Sequence, residues 1–223
     1  WKANGGTTTA TINESGNNPA AVVQANPTAG FSIVTYTGTG ADGTIAHGLG
    51  KIPAWILYKR RNSTDSWINF HQGLSASGAT HSITLNNTNG EQDSANAYWN
   101  DTLPTSSVFR VGTDSGTNAN NSTYVAYVFA EIEGYSKFGS YTGNGNADGT
   151  FVFTGFRPAW VMVKTTGIAS DWVIEDTTRS PFNESNATLF ANLSNAEYTG
   201  GAYGVDFLSN GFKIYNTYNQ LNA

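Results

Sequence analysis

Apolar positions in this chain fall in short segments that turn-forming residues separate. The segments are rich in β-branched and aromatic residues, and clusters of Gly, Asn, Asp or Pro lie between them, which is typical of strands joined by tight turns. No segment keeps a helical spacing of apolar residues over a window of about 11 positions. The pattern predicts strands at Phe31–Tyr36, Ala54–Lys59, Ser66–Phe70, Val108–Val111, Thr150–Thr154, Trp160–Lys164, Trp172–Ile174 and Gly211–Tyr215.

The strand pattern occurs twice. Tyr36-Thr37-Gly38 recurs as Tyr141-Thr142-Gly143, and Pro53-Ala54-Trp55 recurs as Pro158-Ala159-Trp160, both at an offset of 105 (141 − 36 and 158 − 53). Further matches follow in the same order at nearly the same offset. A period of this length exceeds the roughly 20–50 residues of a solenoid repeat, so each copy is expected to have a core of its own.

We therefore expect an all-β fold of two tandem antiparallel β-sandwich modules of jelly-roll-like type. Residues 1–30 precede both copies as an extended arm or linker, copy one covers 31–134 and copy two covers 135–223. Copy one ends with Tyr124–Ala130, an apolar run suited to a buried strand. Copy two has no counterpart to this run before the sequence ends. Either the polypeptide continues past that point, or a neighbouring subunit or the arm completes the sheet by strand addition.

Composition narrows the classes of function. The chain has 11 basic and 16 acidic residues, a net charge of −5, and Lys59–Arg61 is its densest basic cluster, so we expect no nucleic-acid binding. No run approaches the roughly 18 apolar residues of a membrane span, and we expect no membrane insertion. Cysteine is absent. The chain begins at Trp1 without a signal peptide, which suggests a processing product or a fragment of a longer polypeptide.

The repeated glycine-rich loop has two interpretations. Asp42-Gly43 and Asp148-Gly149 lie between apolar strands, and Asp-Gly supplies the positive φ angles of a tight hairpin turn. The alternative is a calcium loop, since Asn144, Asn146 and Asp148 place oxygen atoms at alternate positions. Copy one lacks matching ligands, so we favour the turn and predict no metal.

The tryptophans shared by the two copies are predicted mainly as core residues. Trp55 and Trp160 each begin an apolar strand, and burying an indole removes a large apolar area from water. Trp67 and Trp172 each follow a polar loop, so surface stacking remains an alternative to burial for this pair.

Reactive side chains show no catalytic signature. The chain has no cysteine nucleophile and no known hydrolase or phosphate-binding motif, and its histidines, His47, His71 and His81, lack metal-ligand spacing. Glu175 and Asp176 could serve glycoside hydrolysis, but neighbours on a strand point to opposite faces. We predict that the protein is not an enzyme and needs no cofactor.

Carbohydrate binding is harder to dismiss than catalysis. Aromatic rings stack on sugar faces, and neighbouring amide and carboxylate groups hydrogen-bond the hydroxyls. The chain offers such combinations in both copies, while Trp99 has no counterpart in copy two and is a candidate for exposure. The candidate carbohydrate-binding residues are Asp65, Trp67, His71, Trp99, Asp171, Trp172 and Asp176.

Several phrases together resemble a repeat domain of large structural proteins of tailed phages, especially marine phages of cyanobacteria and related bacteria. The likeness covers about residues 1–215. The phrases are Gly30–Gly38 (GFSIVTYTG), Ile45–Gly50 (IAHGLG) followed by Pro53, Leu103–Phe109 (LPTSSVF), Glu133–Gly145 (EGYSKFGSYTGNG), Thr154–Trp160 (TGFRPAW) and Asp206–Phe212 (DFLSNGF).

This resemblance implies a tail-fibre or other virion-surface component that acts by assembly and host-surface contact, located in the virion or outside the cell. Its partners would be copies of itself in a homo-oligomer, other virion proteins and host-surface glycans. It implies no catalytic residues. The alternative function is a carbohydrate-binding adhesin module of phage or bacterial origin.

Overall fold

Nearly all the regular structure of this protein is antiparallel β-sheet. The computed structural model describes residues 1–3, 9–12 and 15–223. The chain forms two units, and the repeat boundary does not separate them cleanly, since a loop of copy one belongs to the second unit. The first unit comprises Trp1–Thr84, Glu91–Ile132 and Ser136–Phe138, and the second comprises Leu85–Gly90, Glu133–Tyr135 and Gly139–Ala223.

The first unit contains an eight-stranded sheet and a two-stranded sheet. The larger sheet has the strand order β1-β2-β3-β10-β5-β6-β7-β8, and the smaller one pairs β4 with β9. The strands are β1 (Thr9–Ile12), β2 (Ala21–Asn26), β3 (Phe31–Thr37), β4 (Gly43–Ala46), β5 (Trp55–Arg60), β6 (Ile68–His71), β7 (His81–Thr84), β8 (Gln92–Asp93), β9 (Val108–Val111) and β10 (Thr123–Phe129).

Alternation along the strands builds the core of the first unit. In β3 and β10 every second residue is buried, as expected for strands with one face on a core. The rings of Tyr36 and Tyr124 stack with centroids 5.0 Å apart inside this core. Ile45 of β4 and Phe109 of β9 belong to the same cluster, so the two sheets enclose one core as a sandwich.

Helices are few and short, as the sequence predicted. In the first unit they are α1 (Ala95–Trp99), α2 (Ser115–Asn118) and a 3₁₀ turn at Ser75–Gly78. The Asp114 side chain accepts a hydrogen bond from Gly116 N at 2.6 Å and caps α2. Within the described residues, no helix has the length and apolar character needed to cross a membrane.

The segment expected as an arm or linker contributes strands to the first unit. β2 pairs along its whole length with β3, and β1 pairs with β2. Val23 and Ala25 of β2 join the hydrophobic core. Ala21–Asn26 therefore belongs to the sheet of copy one and is not available to complete copy two. Sequence reasoning missed this strand, because the segment Ala21–Asn26 is short and contains two alanines.

The second unit contains two three-stranded sheets around a smaller core. The sheet orders are β11-β16-β15 and β12-β13-β14. Val173 from one sheet and Phe207, Phe212 and Ile214 from the other share a core cluster, which again gives a sandwich. The elements are β11 (Phe151–Phe153), β12 (Trp160–Val163), β13 (Val173–Asp176), β14 (Leu189–Phe190), β15 (Val205–Leu208), β16 (Gly211–Ile214) and α3 (Asn219–Asn222).

Pairing registers relate the strands of the two units. β5 pairs with β6 so that Ile56 lies opposite Phe70, and β12 pairs with β13 so that Val161 lies opposite Glu175, each residue shifted by 105. β6 pairs with β7 as β13 pairs with β14. The strand predictions for these segments are confirmed, and so is the all-β antiparallel sandwich fold.

The prediction that Trp55 and Trp160 are core residues is wrong. Each begins its strand as predicted, but both face away from the core, which Ile56 and Tyr58 fill in copy one. Trp55 is half-buried and stacks on Phe129 of β10 at 4.9 Å, whereas Trp160 is 40% exposed. The two surroundings differ because β10 borders β5, and the second unit has no described strand at that position.

Candidate functional site

One buried asparagine holds the repeated glycine loop of the first unit. Asn118 is fully buried at the end of α2. Its Oδ1 accepts a hydrogen bond from Thr39 N at 2.9 Å, and its Nδ2 donates to Ala41 O at 2.7 Å and Gly112 O at 2.8 Å. These bonds satisfy the buried carbonyl of Gly112 and two partly buried backbone groups of the loop, so the loop conformation depends on this side chain.

Asn222 makes the same bonds in the second unit. It is fully buried in α3, its Oδ1 accepts from Asn144 N at 2.8 Å, and its Nδ2 donates to Asn146 O at 2.8 Å and Asn216 O at 2.7 Å. We name each of these arrangements an asparagine clamp. Sequence reasoning missed the clamps, although Asn118-Ala119 and Asn222-Ala223 repeat at an offset of 104 (222 − 118).

A tyrosine and a glycine complete each clamp. Tyr36 Oη donates to Thr117 O at 2.6 Å, and Tyr141 Oη donates to Leu221 O at 2.6 Å. A Cβ on Gly38 would overlap the carbonyl oxygen of Ala119, and one on Gly143 would overlap that of Ala223. The repeated Tyr-Thr-Gly motif thus serves close packing against the clamp helix.

The contacts of the loop favour the turn over the calcium alternative. Asn144 Oδ1 accepts from Asn146 N at 3.0 Å and Asn144 Nδ2 donates to Asp148 O at 3.0 Å, so this amide is used within the turn. Lys213 Nζ lies 2.7 Å from Asp148 Oδ1, so the carboxylate of Asp148 pairs with a lysine side chain. Across the described residues, no group of three His, Cys, Asp or Glu side chains is placed to hold a metal ion.

In copy one, the candidate sugar-binding residues share a region without converging on one point. Asp65 forms an ion pair with Arg60 at 3.0 Å. The Trp67 ring stacks on Tyr127 with centroids 6.2 Å apart. His71 lies at the other end of β6, where its Nδ1 accepts a hydrogen bond from Gly73 N at 2.9 Å.

Trp99 does not fit a surface site. It is 1% exposed and lies in the core of the first unit, against the interpretation of an exposed ring. Its Nε1 donates hydrogen bonds to Gly78 O at 3.1 Å and Ala79 O at 2.9 Å. This ring is therefore unavailable to a ligand. Its burial was not predicted, because its neighbours in the sequence include polar residues such as Asn100 and Asp101.

The candidates of copy two are also occupied by internal contacts. Trp172 is 7% exposed, which confirms the core alternative for this residue. Asp171 Oδ1 accepts from Asn192 Nδ2 at 2.7 Å, and Asp176 pairs with Arg179 at 2.6 Å. No sugar platform of the kind expected forms around these three residues.

The structure reveals an aromatic strip that sequence reasoning did not assemble. Phe31 and Tyr127 lie with parallel rings 6.5 Å apart, and Trp67 continues the row beyond Tyr127. The ring centroid of Phe129 lies 4.7 Å from that of Phe31 and 4.9 Å from that of Trp55. These five residues, the aromatic strip, lie on the face of the eight-stranded sheet opposite the core. The strip could not be predicted from the sequence pattern, because it forms only when β10 lies between β3 and β5.

Glu175 and Asp176 point to opposite faces of β13. Glu175 is fully buried, where Ser185 Oγ donates to Oε2 at 2.8 Å and Thr188 Oγ1 donates to Oε1. Burial raises the pKa of Glu175, against these hydrogen bonds, which lower it. The buried carboxyl thus ties two loop residues to the strand, and it cannot converge with Asp176 on one substrate bond.

Two histidines are held in their neutral form by burial. His47 is fully buried, its Nδ1 accepts from Leu49 N at 3.3 Å, and burial lowers its pKa. Burial also lowers the pKa of His71 to about 4, while the nearby Glu131 carboxylate opposes the shift. Both rings act as hydrogen-bonding groups within their own loops.

The outer edge of β12 differs from the matching edge of β5. β12 is an edge strand, paired only with β13 among the described strands, whereas its counterpart β5 lies between β10 and β6. Val161 and Val163 are only half-buried although they pack against the core cluster.

A protein-family model matches the chain over residues 1–223, and it is described as a domain of unknown function, DUF7483. Neither a curated protein nor a solved structure matches the chain.

Proposed function

The chain belongs to the DUF7483 family, and we propose that it is a structural protein of a tailed phage, a tail-fibre or other virion-surface component. In this proposal it acts by assembly and by contact with the host surface. Its partners are further copies of the chain and other virion proteins. The phrases that resemble phage structural repeats, such as Gly30–Gly38, support the viral assignment.

The observation that carries the proposal is what the two units share. Both retain the asparagine clamp, with Asn118 and Asn222 making equivalent bonds. The side chains that could take part in catalysis are not shared, since Phe70 and His71 of β6 correspond to Glu175 and Asp176 of β13. A duplication under selection for rigid modules would retain this pattern, and multivalent contacts would supply avidity without strong single sites.

Immunogold labelling tests the viral role. Antibodies raised against the purified chain are applied to virus particles from the source culture, with preimmune serum as the control. The proposal expects gold at a fixed position on intact particles. Labelling that is confined to host cells or to free protein would contradict it.

The aromatic strip favours carbohydrate binding as a second candidate function. Phe31, Trp67 and Tyr127 are half-buried on an outer sheet face, where large apolar surfaces mark interaction sites. Rings in a row suit a chain of sugar units, since each ring offers one stacking surface.

A glycan array with the intact chain tests this second function. Trp67→Ala and Tyr127→Ala should each abolish retention of any bound glycan while the fold persists by circular dichroism. Trp160→Ala is the matched control, because it removes an exposed tryptophan outside the strip. Equal loss of binding in all three variants would contradict a site at the strip.

A further inference from the structure

We propose that the side-chain amides of Gln24 and Asn26 are the hydrogen-bonding half of a carbohydrate site whose stacking half is the aromatic strip. In the structure, residues Trp1–Ala3, which we name the strap, lie over this site and occupy it as an internal cover. The inference deepens the second candidate function, because it names further binding residues and a means of regulation. It rests on that function for the class of ligand.

Strand register places both amides on the same face of the sheet as the aromatic strip. The residues of β2 that alternate with Gln24 and Asn26 belong to the core, so these two side chains point to the opposite face. Asn26 lies opposite Phe31, and Phe31 lies opposite Phe129 of β10. Gln24 begins the neighbouring row, which continues across β3 to Tyr127. Each amide therefore stands at the end of a row that contains rings of the strip.

The strap binds both amides through its backbone. Asn26 Nδ2 donates a hydrogen bond to Lys2 O at 2.8 Å, and Gln24 Nε2 donates to Ala3 O at 3.4 Å. A sugar hydroxyl oxygen accepts hydrogen bonds as a carbonyl oxygen does. The strap thus takes up two donors that a saccharide on this face would use.

The ring of Trp1 lies over one end of the aromatic strip. It meets Phe129 edge-on with centroids 5.1 Å apart, and it lies 6.3 Å from the ring of Phe138. Phe129 is only 8% exposed, whereas Trp67 and Tyr127, further along the strip, are half-buried. The strap therefore covers one end of the stacking surface and leaves the other end partly exposed.

Asn26 is held in an orientation that suits ligand binding. Its Oδ1 accepts a hydrogen bond from Ala29 N at 3.1 Å in the turn that joins β2 to β3. This bond fixes the plane of the amide, so Nδ2 is presented to the group that lies over the sheet. A donor that is fixed in advance loses little conformational freedom when a ligand binds to it.

The contacts between strap and sheet can be exchanged for contacts with a saccharide. The bond from Asn26 is exposed to solvent, the bond from Gln24 is long, and both join neutral groups. A saccharide that stacks on Phe129 and accepts from both amides replaces these contacts in kind, so strap and ligand exclude each other. The apparent affinity is then lowered by the fraction of molecules in which the strap is closed.

Two measurements on the intact chain test the cover. Fluorine NMR of protein that carries fluorotryptophan reports the strap, with the Trp1 resonance assigned from a Trp1→Phe variant. Titration with the neutral hexasaccharides cellohexaose, chitohexaose and mannohexaose reports binding. Ala3→Glu loosens the strap, because Ala3 is 6% exposed and a carboxylate is costly to bury there. Trp1→Ala loosens it by a second route, and Trp160→Ala is the control for loss of an exposed tryptophan.

We expect Ala3→Glu and Trp1→Ala to bind at least one hexasaccharide about fivefold more tightly than the parent, and Trp160→Ala to match the parent. Saccharide that is added to the parent should move the Trp1 resonance toward its position in Ala3→Glu. Equal affinity of the parent and both loosened variants, or a Trp1 resonance that stays in place on binding, would overturn the cover.

Substitutions of the two amides test the site itself in the Ala3→Glu chain. Gln24→Met keeps the shape of the side chain without its donor, and Asn26→Ser keeps an oxygen for Ala29 N but falls short of the ligand. We expect either change to abolish the gain in affinity. Val22→Ala is the matched control on the same face of β2. Affinity that persists without either amide would overturn the site.

Failure of the inference and failure of the carbohydrate function give different results. Saccharide that is bound by the parent and released by Trp67→Ala, with the strap unmoved, would sink the cover and leave carbohydrate binding standing. No binding of any hexasaccharide to Ala3→Glu, with its Trp1 resonance displaced from the parent position, would sink both. Labelling of virus particles tests the viral role separately from either result.

Discussion

Asn118 and Asn222 lie 104 residues apart in sequence (222 − 118) and make equivalent sets of hydrogen bonds, each in its own unit. Each closes a glycine-rich loop over the end of a four-residue helix. The duplicated motif is therefore a packing device, and its chemistry is that of a satisfied buried amide.

Removing either clamp should destabilise its unit strongly. Asn118→Ala and Asn222→Ala each leave one buried carbonyl, one partly buried carbonyl and one N–H without their side-chain partner, so we expect a loss of about 1–3 kcal/mol in the free energy of unfolding. Urea unfolding measures the loss. Asn219→Ala is the control, because Asn219 is exposed on α3. A loss in the clamp variants no larger than in the control would contradict the clamp.

The Tyr-Thr-Gly glycine should tolerate no side chain. Gly143→Ala places a Cβ against the carbonyl of Ala223, so we expect destabilisation of about 1–3 kcal/mol. Gly139→Ala is the matched control, since a Cβ there meets open space. Thermal unfolding of both variants measures the difference, and equal unfolding temperatures would refute the close approach.

Glu175 should reduce stability as pH rises. Its pKa is raised by burial, so the folded state binds a proton that the unfolded state releases above a pH of about 4.5, and stability falls until the pH passes the folded pKa. Glu175→Gln removes this dependence. The free energy of unfolding of the variant, relative to that of the parent chain, should therefore rise from pH 4 to pH 8 in urea unfolding.

Asp176→Asn is the control of opposite sign for Glu175. Burial alone would raise the pKa of Asp176, but hydrogen bonds from Arg179 and Thr178 outweigh this effect and lower it. The stability that this lowered pKa provides is present above a pH of about 3.8 and is lost on acidification. The free energy of unfolding of the asparagine variant, relative to that of the parent, should therefore decrease as pH rises. A difference between Glu175→Gln and the parent that stays constant with pH would refute the buried carboxyl.

His71 should destabilise the first unit in acid. Its pKa is about 4 in the folded chain and about 6.5 when unfolded, so protons bind the unfolded state first as pH falls through this window. The loss reaches up to roughly 3 kcal/mol near pH 4. His71→Asn keeps an acceptor for Gly73 N and should flatten the profile of unfolding free energy between pH 7 and pH 4. Parallel profiles would count against the prediction.

Local patterns in the sequence predicted much of the fold. Segments such as Phe31–Tyr36 and Trp160–Lys164 combine β-branched and aromatic residues between turn signals, and the structure has strands there. The strands Gly43–Ala46 and His81–Thr84 were not predicted, because each is short and mixes polar with apolar residues. Their pairing partners are distant in sequence and stabilise them only in the folded chain.

Positions of side chains relative to the core were harder to predict. Trp55 begins an apolar strand in which the faces of neighbouring residues alternate, and nothing local shows that Ile56 rather than Trp55 faces inward. Trp99 lies among polar residues, yet α1 turns its ring into the core. The aromatic strip depends on which strands are neighbours, and that information is not local to any strand.

The central claim is that the two units share one plan, and that β5 has β10 on its outer side whereas β12 has no neighbour there among the described strands. Residue-resolved hydrogen exchange on the unmodified chain, kept monomeric, tests this most directly by comparing the amides of Leu57 and Met162. We expect the Leu57 amide, which faces β10, to be strongly protected and the Met162 amide to exchange at least a hundredfold faster. Equal protection of the two amides would contradict the claim.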